Sequence, residues 1–177
     1  MIAETGVKLN LGLRVMGRRS DGYHDLETLF VPCGAFGDTL EITRADSLRI
    51  SIDGPQYGGW NPKDDLTARA WDLMHREYGI GPVRIHLTKT APVGAGLGGG
   101  SADGASALKI LSDLFWLGLS EKRLASLALE LGSDCPFFIY DRPMFARGRG
   151  ELLEPFGIDL SAYTVKVELP LGVQVST

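Results

Sequence analysis

Apolar residues recur at every second position from 7 to 15, with Val7, Leu9, Leu11, Leu13 and Val15 on one side and Lys8, Asn10, Gly12 and Arg14 on the other. A period of two marks a strand with unlike faces. Lys8 and Asn10 are therefore neighbours on a polar face, placed either for solvent or for a ligand. Residues 17–24 gather turn formers at Ser20, Asp21 and Gly22 and deliver Tyr23 and His24 into the apolar run 26–32, which predicts a hairpin-like return. A Tyr-His pair beside such a turn either packs on the sheet or stacks on and hydrogen-bonds to a planar ring. Residues 39–43, 48–52 and 83–88 read as further strands, with an exposed loop at 54–60.

The period changes to the helical one after Asn61-Pro62, a capping residue followed by proline at the first helical position. Leu66, Ala70, Leu73, Met74 and Tyr78 form its apolar stripe until Gly79 and Gly81-Pro82 stop it. A second helix is predicted over residues 101–116, with Ala105, Leu108, Leu111, Leu114 and Phe115 apolar. Gly104 in its early turns costs roughly 1 kcal/mol relative to alanine, which points to close backbone packing or ligand approach. Ser120 caps a third helix with Leu124, Leu127, Ala128 and Leu131 inward and Gly132 as its stop. Asp134 then lies in a turn before Pro136, where its carboxylate either closes an Asx-type turn or points into a crevice. Residues 144–147 and 165–169 read as closing strands around a turn region at 155–162. Strands and helices at unequal spacing, without a repeat, predict one α+β domain rather than a regular doubly wound sheet.

Between the strand at 83–88 and the second helix, glycines stand at 94, 96, 98, 99 and 100. Glycine leaves backbone N–H groups unshielded, and a helix that starts there points its free N–H groups and positive dipole end at the same spot. Such a loop cradles anions. Gly94, Gly96 and Gly99 also spell the dinucleotide-binding fingerprint, but the acid needed about 20 positions on for a ribose is missing from residues 114–119. Gly94 and Gly99 have Walker A spacing, yet Gly100 stands where that loop has its lysine. Phosphates would then be held by backbone N–H groups, hydroxyls, a metal ion or a lysine from elsewhere.

Composition narrows the partners. A chain of 177 residues that is 44% apolar and 23% charged suits one sizeable core. A net charge of −4 argues against an extended nucleic-acid surface, although Arg14, Arg18 and Arg19 form a local basic patch suited to phosphates. Cys33 and Cys135 make no CxxC or CxxxC pair, and His24, His75 and His86 make no HExxH, so no zinc site or disulfide framework is indicated. The first residues lack a basic segment followed by an apolar core, and no apolar run approaches the ~18 residues of a spanning helix. The expectation is a cytosolic protein with a small anionic ligand.

Four stretches taken in order, VKLNLGL, GRRSDGYHDLETLF, PVGAGLGGGSADGASALKIL and LGSDCPFF, resemble the GHMP kinase superfamily, named from galactokinase, homoserine, mevalonate and phosphomevalonate kinases. The resemblance implies an α+β fold of the ribosomal-protein-S5-domain-2-like kind, a mixed sheet packed with helices. It also implies ATP as phosphoryl donor, with Mg2+. DGYH points within the superfamily to kinases of the non-mevalonate isoprenoid route, whose acceptor is a cytidine-diphosphate-linked methylerythritol. By the same resemblance, Pro92, Val93, Gly94, Ala95, Gly96, Leu97, Gly98, Gly99, Gly100 and Ser101 match the ATP-phosphate loop, and Asp65 a position near the nucleotide. Lys8 matches a catalytic lysine and Asp134 the general base. Asn10, Tyr23, His24 and Thr177 match positions that hold the acceptor, the Tyr-His pair at its cytidine end.

Two positions depart from the pattern. Ala102 stands where the family usually has a second serine, and Asp65 where it often has asparagine. Residues 172–177 match the place where family chains enter a second half that carries one wall of the cleft. The expectation is therefore an N-terminal, ATP-binding domain over residues 1–177, weakly active by itself. Two alternatives stay open: a kinase of the same superfamily acting on mevalonate, homoserine or a sugar, and a nucleotide-binding module without turnover.

Overall fold

The structure is a computed structural model and describes residues 1–168. In the described residues, eight strands form two four-stranded sheets. The first runs β1 (Ile2–Glu4), β4 (Thr39–Arg44), β6 (Val83–Thr88), β5 (Arg49–Asp53), antiparallel except where β5 pairs with β6. A parallel pair needs a crossover, and α1 (Leu66–Tyr78) lies in the one between β5 and β6. The second sheet is wholly antiparallel, in the order β2 (Val7–Arg18), β3 (His24–Cys33), β7 (Met144–Gly148), β8 (Leu152–Pro155). Three further helices follow β6: α2 (Gly99–Leu114), α3 (Glu121–Leu131) and α4 (Cys135–Tyr140). The fold class is the α+β one that the unequal spacing predicts.

The core follows the two periods. Val83, Ile85 and Leu87 are buried on one face of β6, while Arg84 between them is exposed. With Leu40 and Ile42 of β4 they meet Met74 of α1, Leu108 and Leu111 of α2 and Leu127 of α3. Burying each such side chain fully stabilises by roughly 1.5–3 kcal/mol. Phe30 and Met144 extend the core into the second sheet, where Phe30 meets the Phe137 ring edge-on at 5.3 Å.

Several elements differ from the sequence reading. β2 is a strand, but only Val7 and Lys8 are buried on it, and Leu11, Leu13, Val15 and Met16 are exposed. Its register against β3 shifts between Leu11 and Arg14 and again between Val15 and Gly17, with Gly12 at φ +69°. These irregularities re-aim side chains, so alternation here reports a strand without reporting its burial. Asn61 does cap, accepting from the Lys63 N–H, but it opens a 3-10 turn over Pro62–Asp64; Asp65 caps α1. α2 begins at Gly99 rather than Ser101 and ends before Trp116, which sits at φ +54° and is 87% exposed. The short β1, β8 and α4 were not foreseen. Residues 165–168 of the expected last strand have no regular structure, and Leu169 and Thr177 lie outside the described residues.

Candidate active site

The glycine loop spans from the end of β6 to the start of α2. Together with Trp60, Asp65, Leu66, Lys89 and Asp134 it lines a cleft of about 240 Å³. Among the described residues, the backbone N–H groups from Val93 to Ser101 donate to no backbone carbonyl. Gly98 precedes α2 at φ +72° and offers the helix no side-chain cap. A Cβ there would come within 3.0 Å of the Phe138 ring and 3.3 Å of Lys8 Cε, so glycine is required by both conformation and space. What results is a set of unpaired N–H groups at a helix N-terminus, the geometry that binds phosphate. Trp60 and Leu66 give the cleft an apolar side suited to a base. Asp65 lines the same cleft and caps α1 through one carboxylate oxygen, Oδ1, which accepts from the N–H and hydroxyl of Thr67 at 2.9 and 2.7 Å.

Lys8 and Asp134 meet on the loop's other flank. The Lys8 N–H donates to Leu97 O at 2.8 Å, which ties β2 to the loop, and its side chain is only 4% exposed. Nζ lies 3.3 Å from Asp134 Oδ2, donates to Asn10 Oδ1 at 3.0 Å, and sits 4.2 Å from the centre of the Phe30 ring. Asp134 precedes α4 in the right-handed helical region, and its side chain makes no capping bond. Of the two sequence alternatives, the crevice is the one realised. Next to it, burial pushes the Cys135 thiol up to about 11, partly offset by the Ser101 hydroxyl, so that sulfur stays protonated and inert.

Tyr23 and His24 do not line the loop cleft. They sit at the tip of the β2–β3 hairpin, where the Arg19 N–H donates to Tyr23 O. His24 is six residues along β3 from Phe30, the residue opposite Asn10, a distance of about 20 Å at strand rise. The β7–β8 turn spans the gap. Arg149 lies with its guanidinium 4.9 Å from the centre of the Tyr23 ring, and a Cβ on Gly150 would stand 3.2 Å from Asp134 Oδ1. The buried Arg149 Nε has no hydrogen-bond partner among the described residues. Sequence reasoning missed Arg149; the only trace of it is a basic residue between two glycines in RGRG. Phe30, the aromatic floor under Lys8, was lost inside an apolar run.

No described helix is long and apolar enough to cross a membrane. Residues 65–142 match the family model described as "GHMP kinases N terminal domain". The chain is 43% identical over 180 residues to the 4-diphosphocytidyl-2-C-methyl-D-erythritol kinase of Bacteroides thetaiotaomicron, covering all of this chain and 65% of that one. It is 42% identical to the enzyme of the same name from Azobacteroides pseudotrichonymphae, again over 100% of this chain and 65% of that one. A crystal structure of 4-(cytidine 5'-diphospho)-2C-methyl-D-erythritol kinase superposes with a TM-score of 0.72 at 39% identity, over 90% of this chain and 56% of that one. The chain thus spans 65% of the length of these two relatives and 56% of that of the solved structure. Over residues 65–142, which include the loop, α2, α3 and α4, the chain matches the GHMP kinase N-terminal domain model, and its fold is the α+β fold of that domain.

Proposed function

We propose that this chain provides the nucleotide-binding half and the catalytic pair of an ATP-dependent kinase that phosphorylates a hydroxyl of cytidine-diphosphate-linked methylerythritol. The observation that carries the reading is the 3.3 Å Lys8–Asp134 pair set against a loop whose N–H groups are unpaired. Phosphoryl transfer is mostly positioning and charge stabilisation. The N–H groups of residues 93–101 hold the phosphates. Asp134 accepts the proton of the attacking hydroxyl, and the Lys8 ammonium, 3.3 Å from that carboxylate, offsets charge on the transferring group. Among the described residues no group of three or more His, Cys, Asp or Glu is placed to cage a metal. Mg2+ would come coordinated chiefly by the nucleotide's own phosphates and water, and would supply charge neutralisation there.

The length of the site supports this acceptor. About 20 Å of strand separates the Tyr23–His24 tip from the level of Lys8. A nucleoside diphosphate with a linked alcohol is of this order of length; mevalonate or homoserine is far shorter. Tyr23 offers a face for the pyrimidine, Arg149 a cation for the diphosphate, and Asn10 a polar contact near the alcohol. The exposed apolar row on β2 leaves this side of the cleft open. Turnover by residues 1–177 alone is therefore expected to be low, because transfer needs water excluded and the reactants held in line. Calorimetry with ATP and with a cytidine diphosphate alcohol tests the reading, beside an assay of phosphate transfer by this chain and by a version extended with the remaining third of a relative. Binding of both ligands, with transfer rising on extension, is the expected result. Binding of ATP without any cytidine nucleotide would move the assignment to another acceptor.

A further inference from the structure

Buried charge is concentrated beneath the glycine loop as well as at its open flank. Lys89 follows β6, Asp38 precedes β4, Asp103 belongs to the early turns of α2, and Thr5 links β1 to β2; all four are at most 5% exposed. Lys89 Nζ donates to Asp38 Oδ2 and, at 2.7 Å, to Asp103 Oδ2. The Thr5 hydroxyl donates to Asp103 Oδ1 at 2.9 Å and accepts from the Asp38 N–H at 3.1 Å. Asp38 Oδ1 accepts from the Thr90 and Ala91 N–H groups at 2.6 and 2.7 Å. These bonds reach both ends of the loop. Thr90 and Ala91 lead into Pro92, Asp103 lies five residues after Gly98, and Lys89 joins the two carboxylates. A Cβ on Gly99 would lie 3.6 Å from Asp38 Oδ2 and 3.9 Å from Lys89 Nζ, so the cluster abuts the N-terminus of α2 itself. Among the described residues the N–H groups of residues 93–101 have no backbone acceptor; apart from the Lys8 N–H on Leu97 O, the loop's shape is set from its ends.

We propose that Lys89, by joining Asp38 to Asp103, is the positioning residue of this loop: it fixes the loop's entry against the start of α2 and so keeps the unpaired N–H groups pointed at one spot. One proton alters the unit. Burial pushes the Asp103 carboxyl up to about 7, with Lys89 opposing the rise and Asp38 adding to it. Burial works to lower the Lys89 ammonium, but Asp103 and Asp38 outweigh it and its pKa stands above the ordinary value. With Asp103 protonated, the three ionisable groups sum to zero; with it ionised they carry −1 beneath an anion site. The other charged groups at the loop are Lys8 of β2 and Asp134 before α4, paired with each other, and Asp65 at the start of α1. Loop order and anion affinity are both expected to fall as pH rises through 7.

The anion half of this inference rests on the kinase reading; the positioning half does not, and the experiment separates them. Hydrogen exchange of the ligand-free chain, corrected for intrinsic rates, is followed at the amides of Lys8, Thr90, Ala91 and Ala102, with α3 as internal control, in wild type, Lys89→Met and Asp103→Asn. Lys89→Met is expected to speed exchange at these amides at least tenfold while α3 is unchanged. Wild type is expected to lose protection there between pH 6 and pH 8, and Asp103→Asn, which keeps the bonds of a protonated carboxyl, to hold its pH 6 protection throughout. If Lys89→Met does not fold, the Asp103→Asn comparison decides. Identical pH behaviour of wild type and Asp103→Asn, or a loss spread evenly over α3 and the loop, would overturn the proposal. In parallel, ATP titrations at pH 6 and 8 are expected to show the wild-type affinity falling at least threefold relative to Asp103→Asn, a ratio in which the ionisation of ATP itself cancels. The expected exchange pattern without any ATP binding would remove the phosphate reading and leave the positioning role standing.

Discussion

The glycine loop is flanked by two lysine–aspartate groupings, Lys8 with Asp134 and Lys89 with Asp38 and Asp103, built from the same residue types. In the second, the fold fills the acceptors: Asp38 takes one lysine and two backbone N–H groups, and Asp103 a lysine and a hydroxyl. In the first, Asp134 takes a single ammonium at 3.3 Å and remains 16% exposed. A carboxylate whose partners seal it from the cleft can hold the fold but cannot reach a ligand; one left under-coordinated beside the cleft can take a ligand's proton. Burial and bond count separate anchoring from chemistry where residue identity does not.

The sharpest way to break this comparison is to exchange the consequences of mutation. Asp134→Asn is expected to lower phosphate transfer by the extended chain about 10²–10⁴-fold, the usual share of a general base, with little change in melting temperature. A mutant that melts early while keeping turnover would show that Asp134 is an anchor too. Asp38→Ala does the reverse: it strands two backbone donors and an ammonium, and is expected to cost about 3–5 kcal/mol in denaturant unfolding. Gly98→Ala, forced to a positive φ against the Phe138 ring, is expected to cost about 1–3 kcal/mol and to weaken ATP binding measured by calorimetry. The last effect concerns pH. The Asp103 pKa is raised in the folded state, so its share of stability is fully present below pH 4, declines as pH rises to about 7, and then levels. Unfolding midpoints measured across this range should fall more steeply with rising pH in wild type than in Asp103→Asn.

The sequence made some of this plain. The hairpin, the strand before the loop, the glycine loop and the capping of α3 by Ser120 all follow from short-range patterns, and the polar strand face at Lys8 and the turn position of Asp134 are legible in the same way. That the two meet was implied only by resemblance, since 126 positions separate them. β1 and β8 were missed because three- and four-residue strands show too little alternation, and α4 because six apolar residues after a turn carry no period. The Lys89 cluster was invisible for a different reason. Its members lie 14 to 98 positions apart, and nothing in a lysine beside a strand end says that it will be sealed from water by two carboxylates.

The placement of the tryptophans has a use in spectroscopy. Trp60 forms part of the cleft wall, Trp71 is stacked on the His75 ring 5.0 Å away, and Trp116 stands almost free in solvent. A base entering the cleft therefore perturbs the emission of one indole in three, and changing Trp116 to phenylalanine strips away most of the solvent-exposed background. Nucleotide occupancy can then be followed optically in the unlabelled protein, on the millisecond scale that calorimetry does not reach.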